Sequence, residues 1–340
     1  MKIQSRIDNP VEIDTAQIEK ELAVGKHVIV QFSDKTYSDK KLSVLNELCK
    51  KHDKDFGIRF YGHYSGSFDF TTLLRVPDVK CLYVDCLFQA DNVDTLGHLH
   101  QLEKLALGVF ELKEPEILGI KSIQSVSDLI LTETRSKGLN LDHLRNFKNL
   151  KLLIVGEHKK NIEAIGDLKD LEFLSLNSIK KTSIEFINRL KNLKTLKFIL
   201  GGRENINEIE ENAIENLEIV WVRGFNDLSN ISNFAKLKTL HIEDSIQLSE
   251  IRFPNPLPDL RELKVLNCKG LKSLTGIENL PKLEQLRIYK TGIDFDSFID
   301  QRRPDHLKTL AFYTAKNKVD AKIQTTLGKL GYRESGTVIT

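Results

Sequence analysis

The sequence is poor in the residues that staple small folds or hold metals. Only four cysteines occur in 340 residues, at Cys49, Cys81, Cys86 and Cys268. No two of them form a CxxC pair, so a zinc site lacks its ligand set, and four thiols are too few for a disulfide framework. That usage fits a reducing compartment, and the chain is read as cytoplasmic. An excess of one charge is missing too: 50 basic and 48 acidic residues leave a net charge of +2. Such a balance gives no global attraction to nucleic acid or to an anionic membrane. No stretch approaches the roughly 18 apolar residues of a membrane span. The opening segment, MKIQSRIDNPVEIDTAQIEKELAVG, is broken by charges every few residues and holds no signal-peptide apolar run.

The motifs of common catalytic chemistry are also absent. There is no GxxxxGK[ST] phosphate loop and no HExxH helix. His98 and His100 stand two apart in GHLHQ, a spacing that suits a solvated turn better than a helical metal site. His241 lies close to Glu243 and Asp244, an acid–base pair with no nucleophile in the neighbouring positions. Cys81 and Cys86 fall in outward slots, but nothing nearby lowers a thiol pKa. The chain is therefore expected to be no enzyme, and to need no cofactor or metal.

What the sequence does have is a repeat. A six-residue pattern of apolar, two variable, apolar, one variable, apolar recurs eleven times. It runs VKCLYV from Val79, LEKLAL from Leu102, VSDLIL from Val126, LKLLIV from Leu150, LEFLSL from Leu171 and LKTLKF from Leu193. It continues LEIVWV from Leu217, LKTLHI from Leu237, LRELKV from Leu260, LEQLRI from Leu283 and LKTLAF from Leu307. Successive starts differ by 23, 24, 24, 21, 22, 24, 20, 23, 23 and 24 residues. A degenerate twelfth copy begins at Asp55, with Ile58 and Phe60 in its inward slots.

This pattern resembles the leucine-rich-repeat family, whose unit is about 20–29 residues long. The resemblance covers roughly residues 55–314. It implies an α/β fold: a right-handed solenoid curved into a horseshoe, with about twelve repeats, a parallel β-sheet on the concave face and a cap at each end. The family asparagine after the strand is mostly replaced, by Thr134, Ser245, Cys268 or Thr291 in some repeats and by Leu87, Phe110, Ile179 or Phe225 in others.

Period-two alternation puts the fourth and sixth positions on one face of a short strand. Between strands, apolar residues recur every three, as at Leu141, Leu144 and Phe147, at Ile184, Ile187 and Leu190, and at Leu271, Leu274, Ile277 and Leu280. That period suits 3₁₀ turns. An open stack exposes its end layers and needs caps. Residues 1–54 are expected to form an α/β cap, with a strand through Val28, Val30 and Phe32 and a helix through Leu42, Leu45, Leu48 and Cys49 that Ser38 caps. Residues 315–340 are expected to close the other end, with a helical stripe of Val319, Ile323, Leu327 and Leu330 and a frayed tail from Glu334.

The third, fifth and seventh positions point away from the core and line the expected binding face. In the middle of the array they are apolar: Ile130, Leu152, Ile154, Phe173, Ile199 and Ile219. Further on they mix cations with aromatics: Lys197, Trp221, Arg223, His241, Lys264, Arg287, Tyr289 and Tyr313. Tyr83 occupies a fifth position near the start. Apolar side chains aimed at water suggest a partner, and Trp, Tyr and Arg dominate interface hot spots. The expected function is binding of another protein, with an acidic and apolar surface, as an inhibitor, immunity or regulatory protein. A nucleic-acid-binding solenoid is the alternative, with Lys197, Arg223, Lys264, Arg287 and Lys290 tracking phosphates and Trp221 and Tyr289 stacking bases. Intrinsic β preference also explains outward Ile and Val, and the segment Ile199–Asn205 lies close enough in sequence to cover Trp221. The aromatic stretch FYGHYSGSFDF, Phe60 to Phe70, reads either as a second contact loop or as packing against the N-terminal cap.

Overall fold

Short runs of alternating apolar residues set the architecture, and the computed structural model describes residues 2–132, 134, 135 and 137–333. The tail expected from Glu334 onward lies outside the described residues. The chain divides after Leu171 into two compact units. Among the described residues, each unit carries, beside a separate two-stranded sheet, seven strands of the main parallel sheet.

In the first unit these are Gln4–Asp8, His27–Phe32, Phe56–Gly62, Cys81–Leu87, Lys104–Val109, Asp128–Leu131 and Leu152–Gly156. Register pairs like with like: Leu105 faces Leu129, and Leu107 faces Leu131. Every second residue therefore enters one shared core, and Ile58, Phe60, Leu82, Val84, Leu153 and Val155 are all buried. Turns of 3₁₀ helix such as Phe70–Arg75, Leu141–Asn146 and Ile162–Asp167 return the chain behind the sheet. The triplet Leu141, Leu144 and Phe147 is buried there, as its spacing predicts.

The first 54 residues join this sheet rather than merely covering it. The helix Asp39–Lys51 is capped by the Ser38 hydroxyl, which accepts from the Lys41 amide at 3.4 Å. A second helix, Thr15–Ala23, is capped by Asp14 and follows the edge strand Gln4–Asp8. These two elements carry weak apolar patterns, because the strand alternates exposed and half-buried residues and Ile18 alone is buried in the helix. The stretch Phe60 to Phe70 packs inward at both ends, through Phe60, His63, Phe68 and Phe70, while Tyr64 at its middle is 74% exposed. Phe60 stacks on Phe32 at 5.8 Å and on Phe68 at 4.9 Å, and Phe68 meets Phe70 edge-on at 5.3 Å.

The second unit contains Phe173–Asn177, Thr195–Ile199, Asn216–Val220, Thr239–Glu243, Glu262–Leu266, Gln285–Tyr289 and Thr309–Tyr313. Behind them lie the 3₁₀ turns Glu185–Arg189, Ser229–Asn233 and Ile277–Asn279. The expected turn at Leu271–Leu274 is instead partly strand: Ser273–Thr275 pairs with Glu250–Arg252 in a small second sheet. The closing helix spans Asn317–Lys329. It buries Ile323 and Leu327 but leaves Val319 and Leu330 exposed, so only half of the expected stripe packs.

One register differs from the sequence expectation. Leu196 pairs with Leu217 and Phe198 with Ile219, so that repeat begins at Ile214, three residues earlier than the match at Leu217. Ile219 is consequently inward and fully buried. The fifth position belongs to Glu218 and the seventh to Val220, not to Trp221 and Arg223. The competing match, IENLEI, has the same apolar pattern as LEIVWV. It also converts the uneven spacing of 24 then 20 into 21 then 23.

Candidate partner-binding face

Strand pairing fixes which outward side chains are neighbours. In the first unit one outward row reads Arg6, Ile29, Gly57, Cys81, Lys104, Asp128, Leu152. The next row reads Asp8, Gln31, Arg59, Tyr83, Ala106, Ile130, Ile154. Ile29, Cys81, Tyr83 and Ala106 bury one another on this open face, and Ile130 packs against them. Gly57 makes that packing possible. A Cβ there would meet Cys81 Sγ at 3.1 Å and the Tyr83 ring at 3.3 Å.

These rows border a groove of about 530 Å³ with an apolar floor of Ile29, Ala106, Ile130 and Leu152. Its rim is charged. Arg59 holds Asp85 through two nitrogens, at 2.7 and 3.2 Å, and reaches Gln31 at 3.2 Å. Lys54 pairs with Asp128 at 3.1 Å and Lys2 with Asp55 at 2.5 Å. At the centre, His27 Nε2 lies 3.2 Å from the Tyr83 hydroxyl, and the Lys104 ammonium sits 5.2 Å from the Tyr83 ring centroid. Burial lowers the His27 pKa, and Lys104 adds to the effect. Burial also raises the Tyr83 hydroxyl, and it pushes the Cys81 thiol up to about 12. Cys81 therefore stays protonated and unreactive.

The expected residues Tyr83 and Ile130 thus share one groove, with Ile154 half-buried beside them. Tyr83 is only 8% exposed, so it serves as floor rather than as an accessible anchor. Arg6, His27, Lys54 and Lys104 were not singled out from the sequence. Arg6 and His27 come from strands that precede the repeat pattern and carry no part of it.

In the second unit the true fifth-position row is Ser175, Lys197, Glu218, His241, Lys264, Arg287, Ala311. Its charges are largely matched within the row or beside it. Lys197 pairs with Glu218 at 2.5 Å and lies 5.8 Å from the centre of the Phe173 ring. His241 stands between Glu218, at 3.5 Å, and Glu243, at 3.1 Å. Lys264 pairs with Glu262 at 3.0 Å. Among the described residues, the Arg287 side chain hydrogen-bonds to Gln285 alone, at 3.4 Å. Tyr289 and Tyr313 pair in the next row, and Lys290 caps the Tyr289 ring at 4.9 Å. All seven of these expected residues from Phe173 onward, Trp221 and Arg223 aside, are half-buried.

The architecture can be matched to solved structures. An internalin from Listeria monocytogenes superposes with a TM-score of 0.57 at 16% identity, covering 90% of this chain and 85% of that one. The chain has the leucine-rich-repeat fold. A TLR13–ssRNA13 complex gives a TM-score of 0.50 at 18% identity, over 84% of this chain and 43% of that one. A leucine-rich-repeat protein of Leptospira interrogans gives 0.40 at 18% identity, over 82% and 89%. No family model matches the sequence, and no curated protein matches it.

Within the leucine-rich-repeat frame, Trp221 falls in the slot directly after the strand. Ser178, Leu200, Asp244, Asn267 and Lys290 hold the same slot, and all of them have left-handed backbone. Trp221 is 59% exposed, so the Ile199–Asn205 segment does not cover it. Arg223 lies two residues further on and is exposed as well. The following slot, the family asparagine position, is filled by buried Ile179, Val222, Ser245 and Cys268. Val222 replaces Phe225 there as a result of the register correction. Among the described residues, no cluster of His, Cys, Asp or Glu could hold a metal ion, and no helix is long and apolar enough to cross a membrane.

Proposed function

We propose that the chain is a protein-binding module that seats its partner on the outward face of the sheet, with the first unit's groove as the main contact. The observation that carries this reading is the floor of that groove. Ile130, Leu152 and Ile154 occupy outward strand slots and remain half-buried, and Ile130 and Leu152 line an open groove. Apolar area held in this state is released from water only when something else covers it. A charged rim around an apolar centre is also the ordinary anatomy of a protein interface. A rigid sheet limits the conformational entropy lost on association.

The role is read as binding without catalysis. Cys81 is a buried, protonated thiol, and His241 is enclosed by two carboxylates with no nucleophile between them. The sparse cysteine usage of the sequence is the ground for reading the setting as reducing and cytoplasmic. An inhibitor or immunity protein that caps a toxin or enzyme is the specific form we favour, and it calls for a single tight partner.

The test is capture from a lysate of the source organism by the wild-type chain and by an Ile130→Arg variant. A protein retained by the wild type and lost by the variant supports the reading. Equal recovery by both overturns the groove as the contact.

A further inference from the structure

We propose that the groove of the first unit recognises an acidic, apolar stretch of its partner, with Arg6 and Lys104 taking carboxylates and Ile130 and Leu152 taking the apolar side chains. This rests on the protein-binding reading above and adds the chemistry of the occupant.

Five cations line the groove, Lys2, Arg6, Lys54, Arg59 and Lys104, against three carboxylates, Asp55, Asp85 and Asp128. The carboxylates are matched one to one by Lys2, Arg59 and Lys54. Among the described residues, the Arg6 side chain hydrogen-bonds to Gln4 alone, at 3.3 Å, and the one close contact of the Lys104 ammonium is the Tyr83 ring. Neither has a carboxylate partner among the described residues. A groove with two surplus cations and an apolar floor attracts negative charge and repels a cationic surface.

Geometry then limits the ligand. Arg6 and Lys104 lie in the same outward row, four strand positions apart. At about 4.8 Å per strand that is roughly 19 Å between backbones, a span that about six residues of extended chain cover. The row dips between them at Gly57, which has no side chain. Lys104 sits over the Tyr83 ring near the middle of the trough, and Arg6 lies at the edge-strand end of the same row.

The same features disfavour other ligands. The groove is open along the sheet and does not enclose a small molecule as binding pockets do. Single-stranded nucleic acid needs exposed aromatic faces for stacking. Tyr83 offers none, since it is buried and Lys104 lies over its ring. Carboxylates spaced among apolar side chains satisfy the rim and the floor together.

A displayed library of random dodecapeptides, selected on the full-length chain, tests this. The selected peptides are expected to carry at least two Asp or Glu residues interleaved with Leu, Ile or Phe. Their affinity should fall about ten-fold or more when Gln and Asn replace the acids, and as much on an Arg6→Ala, Lys104→Ala variant. Arg6 is exposed and Lys104 half-buried, and circular dichroism of that variant checks that the fold is kept. Selected peptides that are neutral or basic overturn the inference, as do acidic peptides indifferent to the double variant. An empty selection, or a twelve-nucleotide oligo-uridine that displaces the peptides, overturns it too. Neutral peptides that bind the wild type but not Ile130→Arg would overturn the acidic preference while leaving the protein-binding reading intact.

Discussion

Leu200 and Trp221 hold the same slot of consecutive repeats, and both place a bulky side chain on left-handed backbone, at φ of 60° and 57°. The Leu200 amide donates to the Val220 carbonyl at 2.8 Å, and the Trp221 amide to the Glu243 carbonyl at 3.0 Å. The slot therefore turns the chain out of the strand without breaking the ladder. Left-handed backbone costs an L-residue roughly 1–2 kcal/mol, and Asn or Asp less. Later repeats use Asp244 and Asn267 there. Leu200 and Trp221 are 45% and 59% exposed, so truncation forfeits little burial. Trp221→Asn and Leu200→Asn are each expected to raise stability by about 0.5–1 kcal/mol in urea denaturation. A loss of stability would show that the side chain packs in the fold.

The same tryptophan marks the limit of what the sequence made legible. Inward positions are easy to read, because Leu at every second residue of a strand and every third of a turn leaves a periodic signal. That signal has two solutions around Leu217, since IENLEI and LEIVWV satisfy one pattern three residues apart. Only the spacing separates them, and the outward columns move with the choice. The groove was harder to see for another reason. Its centre combines Tyr83 from a repeat with Arg6 and His27 from strands outside the repeat, and only the pairing of those strands brings the three together. Charge pairing is likewise invisible in a list of columns. Lys197 reads as a free cation until Glu218 is placed beside it.

Two buried histidines make the first unit acid-sensitive. His63 Nδ1 donates to the Tyr61 carbonyl at 2.8 Å, and its Nε2 accepts from the Tyr37 hydroxyl at 3.3 Å. His158 Nε2 donates to the Thr132 carbonyl at 2.8 Å, and its Nδ1 accepts the Leu139 amide at 3.2 Å. Both rings are about 1% exposed, and burial lowers both pKa values from the ordinary 6.5. The folded state then binds fewer protons than the unfolded one, so stability rises with pH. It is complete above about 6.5 and is lost as pH falls from there towards the lowered folded values. His158→Gln is expected to lower stability at neutral pH by about 1–3 kcal/mol, and to flatten the acid slope below pH 6.5. An unchanged slope in urea titrations across that range would refute this account.

Glu218 has the opposite sense. The hydrogen bond from His241 and the contact with Lys197 outweigh burial and bring its pKa from 4.5 to about 2. A depressed carboxylate contributes stability that is fully present above 4.5 and lost as pH falls towards 2. The corresponding free energy is at most about 3 kcal/mol, and partial exposure of the pair reduces it to about 1–2 kcal/mol. Glu218→Gln is expected to cost that amount at pH 7 and only a small remnant of it by pH 2. The comparison needs denaturation curves at both values, and a penalty that persists in acid would point to lost packing instead.

Two glycines separate backbone conformation from backbone contact. Gly201 and Gly224 both have left-handed backbone, at φ of 83° and 86°. A Cβ on Gly201 would lie 2.4 Å from the Ile179 carbonyl oxygen and 2.9 Å from its nitrogen, both backbone atoms with no rotamer to escape into. A Cβ on Gly224 would meet nothing nearer than the Arg203 carbonyl at 3.7 Å. Gly224→Ala should therefore cost only the conformational term, about 1–2 kcal/mol. Gly201→Ala should cost about 3 kcal/mol or more, because the stack of the Gly201 slot on Ile179 must open. The same opening strains the Arg223 amide, which donates to the Gly201 carbonyl at 3.3 Å. Hydrogen exchange is then expected to speed at Arg223 in Gly201→Ala and not in Gly224→Ala. Equal costs for the two substitutions would mean that the repeats slide apart locally, and that the close approach at Ile179 does not set the spacing of the stack.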